Sequence, residues 1–115
     1  MTGGTGGGGS TLTVSPSSVA AGGSVTGGWS GVASATTTDW VSVYAAGAAD
    51  TAYTPNGWFY TNSCSQTAGT TTRAGGSCSL TLPASLAAGT YELRLYANGG
   101  FTRLATSPSF TVTAP

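Results

Sequence analysis

Residues 53 to 82 read YTPNGWFYTNSCSQTAGTTTRAGGSCSLTL. Two short β-type runs, Trp58-Phe59-Tyr60-Thr61 and Ser79-Leu80-Thr81-Leu82, flank a polar insert of Gly, Thr and Ser. Cys64 and Cys78 sit at the inner ends of the runs. Aromatic or alternating residues bounded by Gly, Pro, Asn and Ser are strand signals. Paired as a hairpin, the two runs bring the sulfurs within bonding reach. Two cysteines permit a single intramolecular pairing. The 13 residues between them form a loop whose closure stabilises by about 3 kcal/mol in the chain-entropy model. Two buried free thiols are the other reading. Cysteines at polar strand ends rather than in apolar runs favour the disulfide, and with it an oxidising, exported location.

Outward from this stretch the pattern stays β. Thr11-Leu12-Thr13-Val14 alternates and is stopped by Pro16. Residues 24 to 29 make a second strand, in which Gly27 and Gly28 point to a bulge or a close approach of backbone. Trp40-Val41-Ser42-Val43-Tyr44 is a third, with Val41 and Val43 on one face and Trp40, Ser42 and Tyr44 on the other. Tyr91-Glu92-Leu93-Arg94-Leu95-Tyr96 is the clearest: Tyr91, Leu93 and Leu95 face one way, Glu92, Arg94 and Tyr96 the other. Asn98-Gly99-Gly100 signals a hairpin turn. Residues 101 to 105 return, and Phe110-Thr111-Val112-Thr113 closes the series. Seven to nine short strands separated by turn residues predict a two-sheet antiparallel β-sandwich over residues 11 to 114, with a closed barrel as the less favoured all-β alternative. Residues 1 to 10, MTGGTGGGGS, read as a flexible linker. Met1 runs into Gly and Thr with no apolar leader, so the chain is expected to be a piece of a longer exported protein, with Met1 added for expression.

Composition removes several functions. The 115 residues carry three acids (Asp39, Asp50, Glu92) and three arginines (Arg73, Arg94, Arg103), with no lysine and no histidine. A nucleic-acid binder needs a basic patch that three scattered arginines do not make. The same lack rules out an electrostatic membrane anchor, and no apolar run approaches a membrane span. Three Trp, five Tyr and three Phe, with alternating Val and Leu, supply a modest core.

The residues also carry a resemblance. Ser15-Pro16-Ser17, Gly22-Gly23-Ser24-Val25-Thr26 with Trp29-Ser30-Gly31, Asp39-Trp40-Val41-Ser42-Val43-Tyr44, Leu80-Thr81-Leu82-Pro83, residues 86 to 89, Tyr91-Glu92-Leu93-Arg94-Leu95-Tyr96 and Ser109-Phe110-Thr111-Val112 resemble immunoglobulin-like accessory domains of secreted bacterial enzymes, many of them polysaccharide-degrading. The Asp-Trp strand followed by the Tyr-Glu-Leu-Arg-Leu strand is also similar to the non-catalytic β-sandwich that precedes some metallophosphatase domains. The resemblance covers nearly the whole chain after the linker. It implies an immunoglobulin-like or fibronectin-III-like sandwich and an accessory rather than catalytic role. The cysteine pair and Asn56-Gly57-Trp58-Phe59-Tyr60 depart from that pattern.

Catalysis is not expected. Without histidine the usual general base and the commonest metal ligand are missing. Without lysine there is no Schiff-base chemistry and no Lys-Asn isopeptide crosslink. No serine has an evident base partner. Asp39 reads as a turn-capping acid, and a calcium site built from Asp39, Asp50 and carbonyls is the less favoured alternative. Glu92 with Arg94 or Arg103 reads as a surface pair. No metal or cofactor is expected.

Binding is a better fit, because aromatic rings form platforms for sugar faces and a neutral glycan needs no charged partner. Trp29 and Trp40 read as core. Trp58, Phe59 and Tyr60 are consecutive and cannot all face inward. Either Phe59 points out, or Trp58 and Tyr60 do. Tyr96 is a further candidate for an exposed ring. The candidate contact set is Tyr53, Asn56, Trp58, Phe59, Tyr60 and Asn62. The expected function is a monomeric carbohydrate-binding module that targets a covalently linked, secreted hydrolase to polysaccharide. The alternative is a spacer or docking domain that binds no glycan and uses the same aromatics as its interface.

Overall fold

The computed structural model of the protein describes residues 10 to 115. These form nine strands: β1 (Thr11–Ser15), β2 (Ser18–Ala20), β3 (Ser24–Ser30), β4 (Trp40–Ala45), β5 (Trp58–Tyr60), β6 (Gly76–Thr81), β7 (Gly89–Ala97), β8 (Thr102–Thr106) and β9 (Phe110–Thr113). They make two packed sheets. The first has the order β1-β3-β6. The second has the order β2-β9-β7-β4-β5, with β8 added beside β7. The fold is all-β, with Cys64 and Cys78 disulfide-bonded.

The longest strand, β7, organises the second sheet. One edge pairs with β4 from Tyr91 to Tyr96. The other pairs first with β9 and then with β8, across a register shift between Leu95 and Tyr96. Leu93 lies opposite Val43, and Leu95 opposite Val41. All four are fully buried against the first sheet, where Leu12, Val25, Trp29 and Leu80 meet them. Burying such a side chain is worth about 1.5–3 kcal/mol relative to leaving it exposed. The turn after β7 is built as its sequence predicts. Asn98 and Gly99 both take positive φ (54° and 70°), and Gly100 N–H closes on Ala97 O at 3.0 Å.

Gly27 lies at the centre of the core. Its ladders to β1 and β6 run unbroken, so the Gly27-Gly28 pair marks a close approach and not a bulge. A Cβ at Gly27 would sit 3.0 Å from Leu93 Cδ1 and 3.7 Å from Phe59 Cζ. The space a side chain would occupy is filled from the opposite sheet.

Three expectations about the scaffold change. The runs around the cysteines do not pair as a hairpin. β5 pairs with β4 in the second sheet, and β6 pairs with β3 in the first. The insert between them, too long for a tight turn, crosses from one sheet to the other. Cys78 faces inward from β6 and Cys64 lies just past β5, with their Cα atoms 5.4 Å apart, so the bridge joins edge strands of two sheets. The strand pairing is also not purely antiparallel. Pro16 cannot donate to a ladder, the chain leaves the first sheet there, and β2, which the sequence reading did not assign, runs parallel to β9. The linker expected over residues 1 to 10 lies outside the described residues except for Ser10, which is buried with its Oγ donating to Gly31 O (3.4 Å). Glu92 and Arg94 are not a surface pair, because Arg94 is 1% exposed.

Two outcomes test this scaffold. Gly27→Val overpacks the contact with Leu93 and is expected to lower unfolding free energy by about 1–3 kcal/mol in chemical denaturation. An unchanged midpoint would mean the sheets are not in contact there. Replacing both Cys64 and Cys78 with alanine removes the cross-sheet tie and is expected to lower stability by about 3 kcal/mol, read as a shift in guanidinium midpoint.

Candidate functional site

The two sheets present opposite chemistry to solvent. Outward positions of the first sheet are Thr11, Thr13 and Ser15 on β1, Ser24, Thr26 and Ser30 on β3, and Ser77, Ser79 and Thr81 on β6, all exposed. Several of these hydroxyls pair across strands, as in Thr11 with Ser30 (2.6 Å) and Ser24 with Thr81 (3.1 Å). The second sheet carries rings instead. The β4 register sets Trp40 opposite Tyr60 on one side and opposite Tyr96 on the other. This row of three aromatics is the base of a second cluster, separate from the core between the sheets, which also takes in Tyr44, Trp58 and Ala48.

Trp40 is its hub. It stacks on Tyr96 with centroids 4.9 Å apart and planes 28° apart. Tyr53, Trp58 and Phe101 stand nearly perpendicular to it, at 5.6, 5.9 and 5.7 Å. Trp40 Nε1 donates to Gly100 O at 2.9 Å, which ties the β7–β8 turn to the hub. Trp40, Tyr53, Trp58, Tyr60, Gly99 and Phe101 line an open cleft of about 170 Å³ with no charged side chain in its wall.

Tyr53 reaches the cleft because the segment from Ala46 to Gly57 folds back over β4 and β7. Asp50 anchors it. Its carboxylate accepts hydrogen bonds from the Tyr96 hydroxyl (2.7 Å) and from Arg103 Nε (2.9 Å), and an ion-pair contact from Arg94 Nη1 (3.4 Å). Its main-chain carbonyl accepts the Tyr44 hydroxyl. Arg94 also binds Glu92 Oε2 at 2.7 Å and lies over the Tyr44 ring at 4.3 Å. The hydrogen bonds from Tyr96 and then Arg103 hold the Asp50 carboxyl below the ordinary aspartate value. Burial raises Tyr44 and Tyr96 above the ordinary phenol value, so both remain protonated donors. Burial works against the Arg94 charge, but Tyr96 and Glu92 more than offset it and raise its pKa. Two further bonds hold the segment: Thr54 Oγ1 donates to Val43 O (2.8 Å), and Gln66 Nε2 donates to Pro55 O (3.3 Å).

The structure brings Tyr53, Trp58 and Tyr60 of the expected contact set together at the cleft. It removes Phe59, which is 1% exposed and packs on Trp29 at 6.1 Å, because strand alternation that turns Trp58 and Tyr60 outward turns Phe59 inward. It also removes Tyr96, buried beneath the Asp50 segment. Asn62 is committed to the fold: its Nδ2 donates to Thr37 O (3.0 Å) and its Oδ1 accepts Gly69 N–H (2.9 Å). Asn56 is exposed in the turn before β5 but does not line the cleft. Asp39 is a turn acid as expected. It accepts Thr36 N–H, the Thr36 hydroxyl and Asn98 N–H at 2.9, 2.6 and 2.9 Å. Both acids of the calcium alternative are thus engaged by protein donors. Sequence reasoning missed Trp40 and Phe101 as cleft residues. Cross-strand register, together with the Asn-Gly-Gly turn that carries Phe101 back beside Trp40, was the available signal.

One asymmetry among the rings singles out the cleft. Of the eight Trp and Tyr residues, five have a protein partner for the ring's polar atom: Trp29 Nε1 with Arg73 O, Trp40 Nε1 with Gly100 O, Tyr44 and Tyr96 with Asp50, and Tyr91 with Ala87 O. The other three, Tyr53, Trp58 and Tyr60, have no such bond among the described residues, and all three line the cleft.

The Asp50 anchor is expected to be acid-sensitive. A carboxyl whose folded pKa is depressed stabilises fully above its unfolded value of about 3.9 and loses that contribution as pH falls through the lower folded value. The near-UV circular dichroism of the aromatic cluster should therefore weaken as pH drops from about 4 toward 2. Asp50→Asn should show the weakened signal already at neutral pH and little further change on acidification. A variant that titrates like the parent would remove Asp50 as the anchor.

No protein-family model matches the chain, and no curated protein does. Among solved structures, a chain from the structural basis of T cell specificity and activation by the bacterial superantigen toxic shock syndrome toxin-1 is similar over 93% of this chain and 100% of its own, with 14% sequence identity and a TM-score of 0.43. A likeness this low carries no argument about what the present chain binds.

Proposed function

We propose that the chain is a non-catalytic, immunoglobulin-like module that takes a neutral glycan in the Trp40–Phe101 cleft and so holds a covalently linked, exported hydrolase on polysaccharide. The observation that carries this reading is that Tyr53, Trp58 and Tyr60, the three Trp and Tyr residues whose ring polar atoms have no protein partner among the described residues, all line one cleft that has no charged side chain in its wall. Apolar faces with a few convergent, uncharged donors and acceptors match a sugar, which has apolar C–H faces and a rim of hydroxyls. The immunoglobulin-like assignment is supported by the strand order, with β2 leaving β1 to pair parallel with β9 across the sandwich. Export is supported by the disulfide.

A docking or spacer domain is the second reading. It is favoured by the way the rings meet edge to face instead of offering a coplanar row, and by the half-burial of Trp58.

Retention of the chain on insoluble cellulose, chitin, xylan and β-glucan, beside Trp58→Ala and Tyr53→Phe, separates the two. Glycan binding predicts retention on at least one polymer, lost in Trp58→Ala and reduced in Tyr53→Phe, with both variants still folded. Retention that is indifferent to both variants would overturn the site. No retention on any polymer, with a lower melting temperature of the parent enzyme once the domain is deleted, would establish the docking role.

A further inference from the structure

The shape of the cleft narrows the ligand further, and this step rests on the glycan-binding reading above. Platforms that hold the middle of a polysaccharide chain, or a crystalline face, need several rings in one plane spaced along the chain, so that successive sugars each find a face. Here the exposed rings are arranged against that use. Tyr53 and Phe101 are the large hydrophobics left exposed among the described residues, at 41% and 42%. Their centroids are 6.3 Å apart with planes tilted by 36°, which is contact distance for two rings, so they stand together as one wall and do not line a track. Both stand at 80° or more to Trp40, and Trp58 stands at 75° to it. Tyr60 stands at 89° to Trp58. Steep mutual angles make walls, not a floor. The cleft's space of about 170 Å³ lies below the roughly 300–1,000 Å³ of ordinary ligand pockets.

We infer that the cleft holds one sugar ring, the terminal residue of a neutral glycan, and that the domain binds chain ends rather than chain faces. The Tyr53–Phe101 pair packs against one side of the sugar, and the Trp58 indole N–H and the Tyr53 and Tyr60 hydroxyls bond its free hydroxyls. Internal residues of the chain leave the cleft and add little contact.

Length dependence tests this. The chain is titrated calorimetrically with cello-, chito-, xylo- and laminari-oligosaccharides from two to six sugars. The matching insoluble polymers are assayed for binding capacity before and after partial hydrolysis, which multiplies ends without adding mass. End recognition predicts, for whichever series binds, affinities within about twofold from the trisaccharide to the hexasaccharide, and a polymer capacity that rises with the number of ends. Tyr53→Ala and Phe101→Ala, both at exposed positions, should each weaken the oligosaccharide affinity by about tenfold. Affinity that climbs with every added sugar, or a polymer capacity unchanged by hydrolysis, would overturn chain-end recognition while leaving glycan binding in place. Binding to no oligosaccharide and no polymer would overturn both.

Discussion

The register between β4 and β7 is the constraint on which both halves of the molecule depend. Setting Val41 opposite Leu95 and Val43 opposite Leu93 delivers four apolar side chains to the space between the sheets. The same register sets Trp40 opposite Tyr96 and Ser42 opposite Arg94 on the other face. Strand side chains alternate with period two, so the core and the aromatic cluster are not independent features. A slip of one residue would drive Arg94 and Tyr96 into the core and expose the leucines. Glycine enters the same logic from the opposite sheet, since Leu93 fits only because Gly27 leaves room for it.

The outer face then needs its own cover, which explains a buried arginine in a chain with so few charges. Arg94 is fixed by its place in β7 and is covered when the Asp50 segment folds over it. A buried charge is tolerable when it is paired and hydrogen-bonded. Glu92 lies on the same strand, Asp50 descends from the covering segment, and the Tyr44 ring lies beneath the guanidinium. Such an arrangement is better read as positioning than as a source of stability, because desolvation offsets much of what the ion pairs contribute. What it positions is Tyr53, three residues beyond Asp50.

The strands and their faces were legible in the sequence because alternation is local. The facing of β4 and β7, the Asn-Gly turn, the Asp39 turn and the disulfide could each be read within a few residues. What was not legible depends on partners distant in sequence. Nothing in Trp58-Phe59-Tyr60 says whether it pairs with β4 or β6. Cysteines close in sequence suggested a hairpin, but a disulfide constrains only the distance between two residues and is equally compatible with edge strands of different sheets. Three residues are also too few for alternation to say which face of β5 is wet. Trp40 was legible as buried and not as part of a cleft, because that place depends on Phe101, which returns beside it only through the β7–β8 hairpin.

Burial and a place in the cleft are therefore not alternatives for an aromatic side chain here. Trp40 is 6% exposed and its indole N–H is already used on Gly100. It can offer a ligand little beyond part of one ring surface, and its main contribution is to hold other rings upright. Tyr53, Trp58 and Phe101 owe their angles to edge contacts with it, within the 4.5–7 Å range in which such pairs are favourable. A rigid hub spares a ligand the entropy of ordering three separate rings. The disulfide serves the same end at a distance, since Cys64 lies four residues beyond Tyr60 and ties the end of β5 to the first sheet. The structure thus places Trp40 and Tyr96 behind the cleft, and leaves at the cleft itself rings held upright by Trp40 and ring polar atoms with no protein partner among the described residues.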